Sequence, residues 1–170
     1  MEETVIARAF VALGSNLHAP QRQVRIALQA IKRLPGTRLR ASSGLYRTPP
    51  WGDTRQPHFI NAVAELETSL GPHRLLAYLL AIEQVMGRVR TLRYGPRIID
   101  LDLLCHGQTM ITSPELCLPH PRMQERAFVM IPLAEVAPEL SLAGFGLAAD
   151  LAAALESAAI VRVGESLVAA

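Results

Sequence analysis

Six apolar segments, ordered strand, helix, strand, strand, helix, strand, confine this chain to a small set of folds. Residues 5–13 (VIARAFVAL) read as a buried strand, stopped by the turn residues Gly14-Ser15-Asn16. Pro20 suits the first turn of a helix, where its missing N–H costs nothing. Val24, Leu28, Ile31 and Leu34 then recur at helical spacing as one apolar stripe, ended by Pro35-Gly36. Residues 38–47 are expected to form a second strand and 48–57 (TPPWGDTRQP) an irregular loop. Residues 58–68 predict a third strand. One of its faces carries Ile60, Ala62, Ala64 and Leu66 and should be core. The other carries Phe59, Asn61, Val63, Glu65 and Glu67 and should be partly exposed. Gly71-Pro72 opens a second helix with a buried stripe of Leu75, Leu79, Ile82 and Met86, widened by Leu76 and Leu80 and capped by Gly87. Residues 88–97 form a loop, 98–105 (IIDLDLLC) a fourth strand, and alanine-rich 147–159 a plain terminal helix. The order predicts an α+β fold: a ferredoxin-like β-α-β-β-α-β core with a C-terminal extension. Two helices should pack on one face of the sheet, leaving the other for a ligand or a covering segment.

A chain of 170 residues, half of them hydrophobic and 19% charged, has enough apolar material for one core and is not disordered. A single domain spanning 1–170 is expected. No apolar run approaches the roughly 18 residues of a membrane span. The acidic start Met1-Glu2-Glu3-Thr4 lacks the pattern of a secretion signal, which points to the cytoplasm. A net charge of +2 is too balanced for a general nucleic-acid binder. Cys105 and Cys117 lack the second pair of a zinc site and read as reduced, partly buried thiols. A monomer is expected.

The sharpest chemical signal is Asp100 and Asp102. Residues i and i+2 of a strand share a face, about 6–7 Å apart along the chain. Two carboxylates facing one way in an apolar strand repel unless cations lie beside them. Spacing alone leaves two readings: a magnesium site, or a pair neutralised by neighbouring arginines. Arg88, Arg90, Arg93 and Arg97 stand just upstream, with no acid between Glu83 and Asp100. Guanidinium forks match phosphate oxygens, so the combination suits phosphoryl transfer. The bland alternative is a solvated surface loop. Phe59 and Asn61, on one strand face, would suit a flat, nitrogen-rich ring. His120 is notable for Arg126 and Phe128 close after it, whereas His18, His58, His73 and His106 read as surface or turn residues. Neither a P-loop nor a dinucleotide fingerprint is present. A single-strand RNA module would need more aromatics than HFINAVAEL offers, and an acylphosphatase-like hydrolase would not need Asp100 and Asp102.

The stretches ALGSNL (12–17), LYRTPPWG (45–52), QPHFINAV (56–63), GRVRTLRYGPRIIDLDLL (87–104) and LPHPRMQERAF (118–128) closely resemble the 6-hydroxymethyl-7,8-dihydropterin pyrophosphokinase family of folate biosynthesis. The resemblance covers about residues 5–140. It implies a transferase that moves diphosphate from ATP to a pterin alcohol and releases AMP. By the same likeness, Asp100 and Asp102 hold two magnesium ions, and Arg88, Arg93 and Arg97 contact the triphosphate, with Arg90 in the same loop. Glu83, His120 and Arg126 match nucleotide-side positions. Thr48, Pro49, Trp51, Phe59, Asn61 and Phe128 match the pterin pocket, and Tyr94 stands where tryptophan is frequent. Leu80 and Pro121 depart from polar and tyrosine residues found in some members.

Overall fold

The computed structural model describes residues 4–50, 52–89 and 93–166. Trp51 and Arg90 lie outside them. The chain runs through β1 (Ala7–Ser15), α1 (Pro20–Lys32), β2 (Thr37–Ser42), β3 (Leu45–Thr48), β4 (Phe59–Thr68), α2 (Pro72–Val85) and β5 (Asp100–His106). The hairpin β6 (Ile111–Thr112) and β7 (Cys117–Leu118) follows, then a 3-10 turn at Met123–Glu125 and α3 (Ala127–Val136). The chain continues through β8 (Ser141–Leu142), β9 (Gly146–Leu147), α4 (Ala148–Ala153) and β10 (Val161–Gly164). The main sheet has the order β10-β3-β4-β1-β5, with β2 also on β4, and every pairing in it is antiparallel.

Strand alternation divides the core in two. Ala9, Val11 and Leu13 of β1, Ala62, Ala64 and Leu66 of β4, and Leu101 and Leu103 of β5 face α1 and α2, meeting Val24, Leu28, Ile31, Leu75 and Leu79. Pro20 and Pro72 stand in the first turns of their helices, where no N–H is required. On the opposite face, Phe10, Val63, Leu104 and Cys105 pack under Met123, Met130, Leu133 and Ala148. The C-terminal extension therefore covers about half of this face. A register shift between Phe10 and Val11 marks the boundary. Beyond it, Ala12 and Gly14 of β1, Asn61 of β4, and Asp100 and Asp102 of β5 are left for the site.

Several expectations are corrected. Val5 and Ile6 are 78% and 58% exposed and precede the first strand, because no neighbour pairs with them. The second strand is two strands, broken at Ser43-Gly44. There the Ser43 Oγ accepts the Val63 N–H at 2.9 Å in place of a ladder carbonyl. On the face of β4 expected to be partly exposed, Phe59, Glu65 and Glu67 are so, but Val63 is fully buried under α3 and Asn61 is buried as well. Leu80 is 40% exposed, and the next fully buried stripe position after Leu79 is Glu83. His106 is buried, with Nε2 2.8 Å from the Leu70 carbonyl. The terminal helix is limited to Ala148–Ala153, and the chain then forms β10 beside β3. Both cysteines are free, and burial pushes the Cys105 thiol up to about 12, far from reactivity. Among the described residues no helix is long and apolar enough to cross a membrane.

Beyond its backbone ladder to β3, β10 is tied to α3 by one carboxylate. Glu135 of α3 accepts the Gly44 N–H at 3.0 Å, the Tyr46 hydroxyl at 2.7 Å and the Arg162 guanidinium at 2.9 Å. Glu135→Ala should therefore loosen the sheet margin. The expected result is faster proteolysis between residues 155 and 166 with the melting temperature lowered, each bond contributing about 0.5–1.5 kcal/mol; unchanged proteolysis would contradict it.

Candidate active site

The uncovered half of the sheet is the floor of a cavity of about 530 Å³, within the usual range of small-molecule sites. Three groups of side chains meet there: the carboxylates of β5, the arginines of the 88–97 loop, and the amide and aromatic groups of β3, β4 and α3.

Asp100 and Asp102 point into the cavity because Leu101 and Leu103, two residues apart and 2% exposed, fill the helix-facing core. Asp100 accepts from Arg88 Nη1 at 2.7 Å and from Arg97 Nη1 at 2.6 Å, one on each oxygen. Both alternatives left open by spacing thus meet here, since arginines pair with one carboxylate and leave the other bare. Among the described residues Asp102 has no hydrogen-bond or ion-pair partner. Burial, then the charges of Asp100 and Glu83, push its pKa up to about 7. No third metal-ligating side chain joins the two among the described residues. Two hard oxygen donors without a full protein cage fit magnesium, which keeps waters and shares its shell with substrate phosphates. Asp100 retains lone pairs for a metal despite its two arginines. The residues present therefore fit the ion that the sequence pattern suggests.

Glu83 does not line the cavity. It is 3% exposed and stands behind Arg88, whose Nη1 it accepts at 2.6 Å, while its Oε1 also accepts the Leu101 N–H at 2.7 Å. Burial pushes its pKa up, against the pull of the Leu101 N–H and Arg88. The Arg88 guanidinium is thereby fixed between two acids at the root of its loop. Arg93, Arg97, His120 and Arg126 line the cavity as well. Burial, then the charge of Arg126, holds His120 below the usual imidazole range, so it is neutral near pH 7. Its Nδ1 lies 2.9 Å from the Pro121 carbonyl, which can only accept. The proton therefore sits on Nδ1, and Nε2 is the free nitrogen.

On the other side, Asn61 is 8% exposed and donates from Nδ2 to the Thr48 hydroxyl at 2.7 Å. Pro49, Phe59, Tyr94 and Phe128 add apolar walls. The Arg97 guanidinium lies 5.9 Å from the Phe59 ring centre and that of Arg126 6.0 Å from Phe128, so cations flank the aromatic walls. Sequence reasoning missed Gly14, which faces Asn61 across β1 and β4. A Cβ there would come within 2.8 Å of Asn61 Oδ1, so the amide can lie against the strand only because residue 14 is glycine. Nothing local in the sequence marks that role, because it depends on strand register. Also missed were Ala12 and Val129, small or apolar lining positions without chemical signal.

Comparison with known proteins agrees with the pattern. The 7,8-dihydro-6-hydroxymethylpterin-pyrophosphokinase (HPPK) family matches residues 10–138. The chain is 53% identical over 138 residues to 2-amino-4-hydroxy-6-hydroxymethyldihydropteridine pyrophosphokinase from Pseudomonas aeruginosa, covering 81% of this chain and 85% of that protein. It is 45% identical over 139 residues to the protein of the same name from Methylorubrum extorquens, covering 82% and 88%. Among solved structures, wild-type Plasmodium falciparum HPPK-DHPS with SDX-DHP superposes with a TM-score of 0.72 at 14% identity, over 90% of this chain. The present chain spans only 45% of that longer one, and at this identity the likeness concerns the fold.

Proposed function

The chain belongs to the 7,8-dihydro-6-hydroxymethylpterin-pyrophosphokinase family, and on that premise we propose that it transfers diphosphate from ATP to the hydroxymethyl group of 6-hydroxymethyl-7,8-dihydropterin for folate biosynthesis. The observation that carries this reading is a half-buried Asp102 without an arginine, beside arginine-paired Asp100, facing Asn61 and Phe59 across one cavity. The observed strand order supports describing the core as a ferredoxin-like split βαβ unit. Free cysteines support a reducing cytoplasm, and the catalytic unit is proposed to be a monomer.

Arg88, Arg93 and Arg97 bind the triphosphate and neutralise charge that develops on it, with His120 and Arg126 on the nucleotide side. Glu83 acts from behind by orienting Arg88. Asn61 and Thr48 satisfy the polar edge of the pterin, whose faces meet Phe59 and Phe128, with Pro49 and Tyr94 closing the pocket. Asp100 and Asp102 would hold two magnesium ions, which when bound neutralise phosphate charge and acidify the attacking alcohol. In the reaction the pterin hydroxymethyl oxygen bonds to the β-phosphorus. The bond from that phosphorus to the α–β bridging oxygen breaks, AMP leaves, and the alcohol proton passes to solvent.

The reading is tested by AMP release that requires the pterin alcohol and stops with EDTA; turnover insensitive to EDTA would sink it in favour of a metal-independent hydrolase. Asn61→Ala should weaken pterin binding by about 1–3 kcal/mol, because a buried polar edge loses its partner. Calorimetry checks this, and an unchanged pterin Kd would remove Asn61 from the pocket.

A further inference from the structure

The floor of the cavity between Asn61 and the two carboxylates is made by β1, and the groups assigned to the reaction include neither of the residues it puts there. Strand register lays that floor out in two rows. Gly14 pairs with Asn61 on one side and Asp100 on the other, and Ala12 pairs with Val63 and Asp102. The register shift between Phe10 and Val11, where Leu104 is passed over, brings both aspartates onto the face of Gly14 and Ala12. Asn61 and Asp100 thus stand two strand spacings apart, about 9.5 Å between backbones. β1 is hydrogen-bonded on both sides, and Val11 and Leu13 are buried against the helices beneath it. The separation is therefore built into the sheet rather than into a loop.

Across that separation the strand offers almost no side chain. At Gly14 even a Cβ would come within 2.8 Å of Asn61 Oδ1 and 4.0 Å of Phe59 Cδ1. Ala12 is half-buried and lines the cavity, and its single methyl group stands beside Asp102 across the ladder. β5 lies at the margin of the main sheet, so among the described residues Ala12 alone is directly opposite Asp102. An alcohol held by a ring at Asn61 and delivered to Asp100 and Asp102 must lie over these two positions, where only the Ala12 methyl rises from the floor.

We propose that Ala12 is a specificity-determining residue: its methyl group gauges the length of the arm that carries the alcohol, admitting one carbon between ring and oxygen and obstructing two. The inference rests on the site assignment above and deepens it. A ring fixed at Asn61 and carboxylates fixed on β5 leave the arm as the one adjustable part, and reacting atoms must come within about 3–3.5 Å of each other. A longer arm has to fold down between ring and carboxylates, into the volume that the methyl fills. A larger side chain at the same position would take the volume of the one-carbon arm itself.

The test compares 6-hydroxymethyl-7,8-dihydropterin with its 6-(2-hydroxyethyl) homologue, reading AMP release from ATP in the wild-type chain, Ala12→Gly and Ala12→Val. Wild type should favour the shorter alcohol by about 100-fold in kcat/KM, within the range that one methylene commands in a fitted pocket. Ala12→Gly should reduce that preference to about tenfold or less, by raising the rate on the longer alcohol. Ala12→Val should lower kcat on the shorter alcohol by about tenfold or more. Dihydropterin without the arm, titrated by calorimetry, should bind all three chains within about twofold, because the methyl meets the arm and not the ring. The gauge is refuted by a wild-type chain indifferent to arm length, or by an Ala12→Gly variant that keeps the full preference. It is refuted equally by variants that lose affinity for the armless ring in step with their rates, the mark of a distorted floor. If Ala12→Val does not fold, the comparison of wild type with Ala12→Gly decides. Failure of the site assignment looks different: wild type would then release no AMP with either alcohol, and Asn61→Ala would leave affinity for the armless ring intact.

Discussion

Asp102→Asn is expected to lower kcat for AMP release by about 10³-fold or more and, at the same time, to raise the melting temperature of the ligand-free protein at pH 8. The two effects have one cause. Among the described residues Asp102 is half-buried without a partner, beside Asp100 and near Glu83, and desolvation and those charges push its pKa up to about 7. In the unfolded chain the same group titrates near 3.9 (roughly the free aspartate value). Between these values the native state binds more protons than the unfolded state, so stability falls as pH rises. Above pH 7 the native chain carries the full cost, on the order of a few kcal/mol. Asparagine carries none of it. The stability gap between variant and wild type should open from about pH 4 and level off above about pH 8. Thermal melts across this range check the sign, and a variant less stable than wild type at pH 8 would show that Asp102 is compensated in the ligand-free fold. A linked result is expected on binding. Magnesium with the nucleotide analogue should release protons from the protein near neutral pH and fewer at pH 9, read from calorimetry in buffers of different ionisation enthalpy.

Glu83→Ala should destabilise the protein by about 3–5 kcal/mol, the range for removing one partner of a buried ion pair. Arg88, with 16% side-chain exposure, would lose one of its two carboxylates, and the buried Leu101 N–H its acceptor. Glu83→Gln separates the contributions. It keeps an acceptor for Leu101 and removes the charge, so its urea midpoint should lie much closer to wild type, within about 1 kcal/mol. The alanine variant should lower kcat, because Arg88 is no longer held from behind, and the glutamine variant less, because its amide oxygen can still accept from Arg88. If the alanine variant unfolds at the wild-type midpoint, the pair is not what anchors β5 to the end of α2.

The features of the site that were readable in advance are those set by local alternation. Asp100 and Asp102 share a face because strand residues two apart must do so, and Phe59 and Asn61 follow the same rule. What escaped depends on contacts distant in sequence. Alanine-rich 147–159 favours helix by intrinsic propensity, yet the helix stops at Ala153 and Val161–Gly164 pairs with β3. A strand that short has no signal apart from its partner. Glu83 stands four residues after Leu79, where helical spacing calls for an apolar side chain. It can be buried because Arg88 and the Leu101 N–H satisfy it, and neither contact is visible from the helix alone.

The strand that the C-terminal extension lays along β3 has a consequence outside catalysis. Without Val161–Gly164, the outward N–H and C=O groups of Tyr46 and Arg47 would be an open template for a strand from another molecule, the ordinary beginning of fibrous association. Arg162 puts a cation on that border and Glu135 pins it in place. Colloidal behaviour at high concentration thus depends on a tail that contributes no group to the reaction.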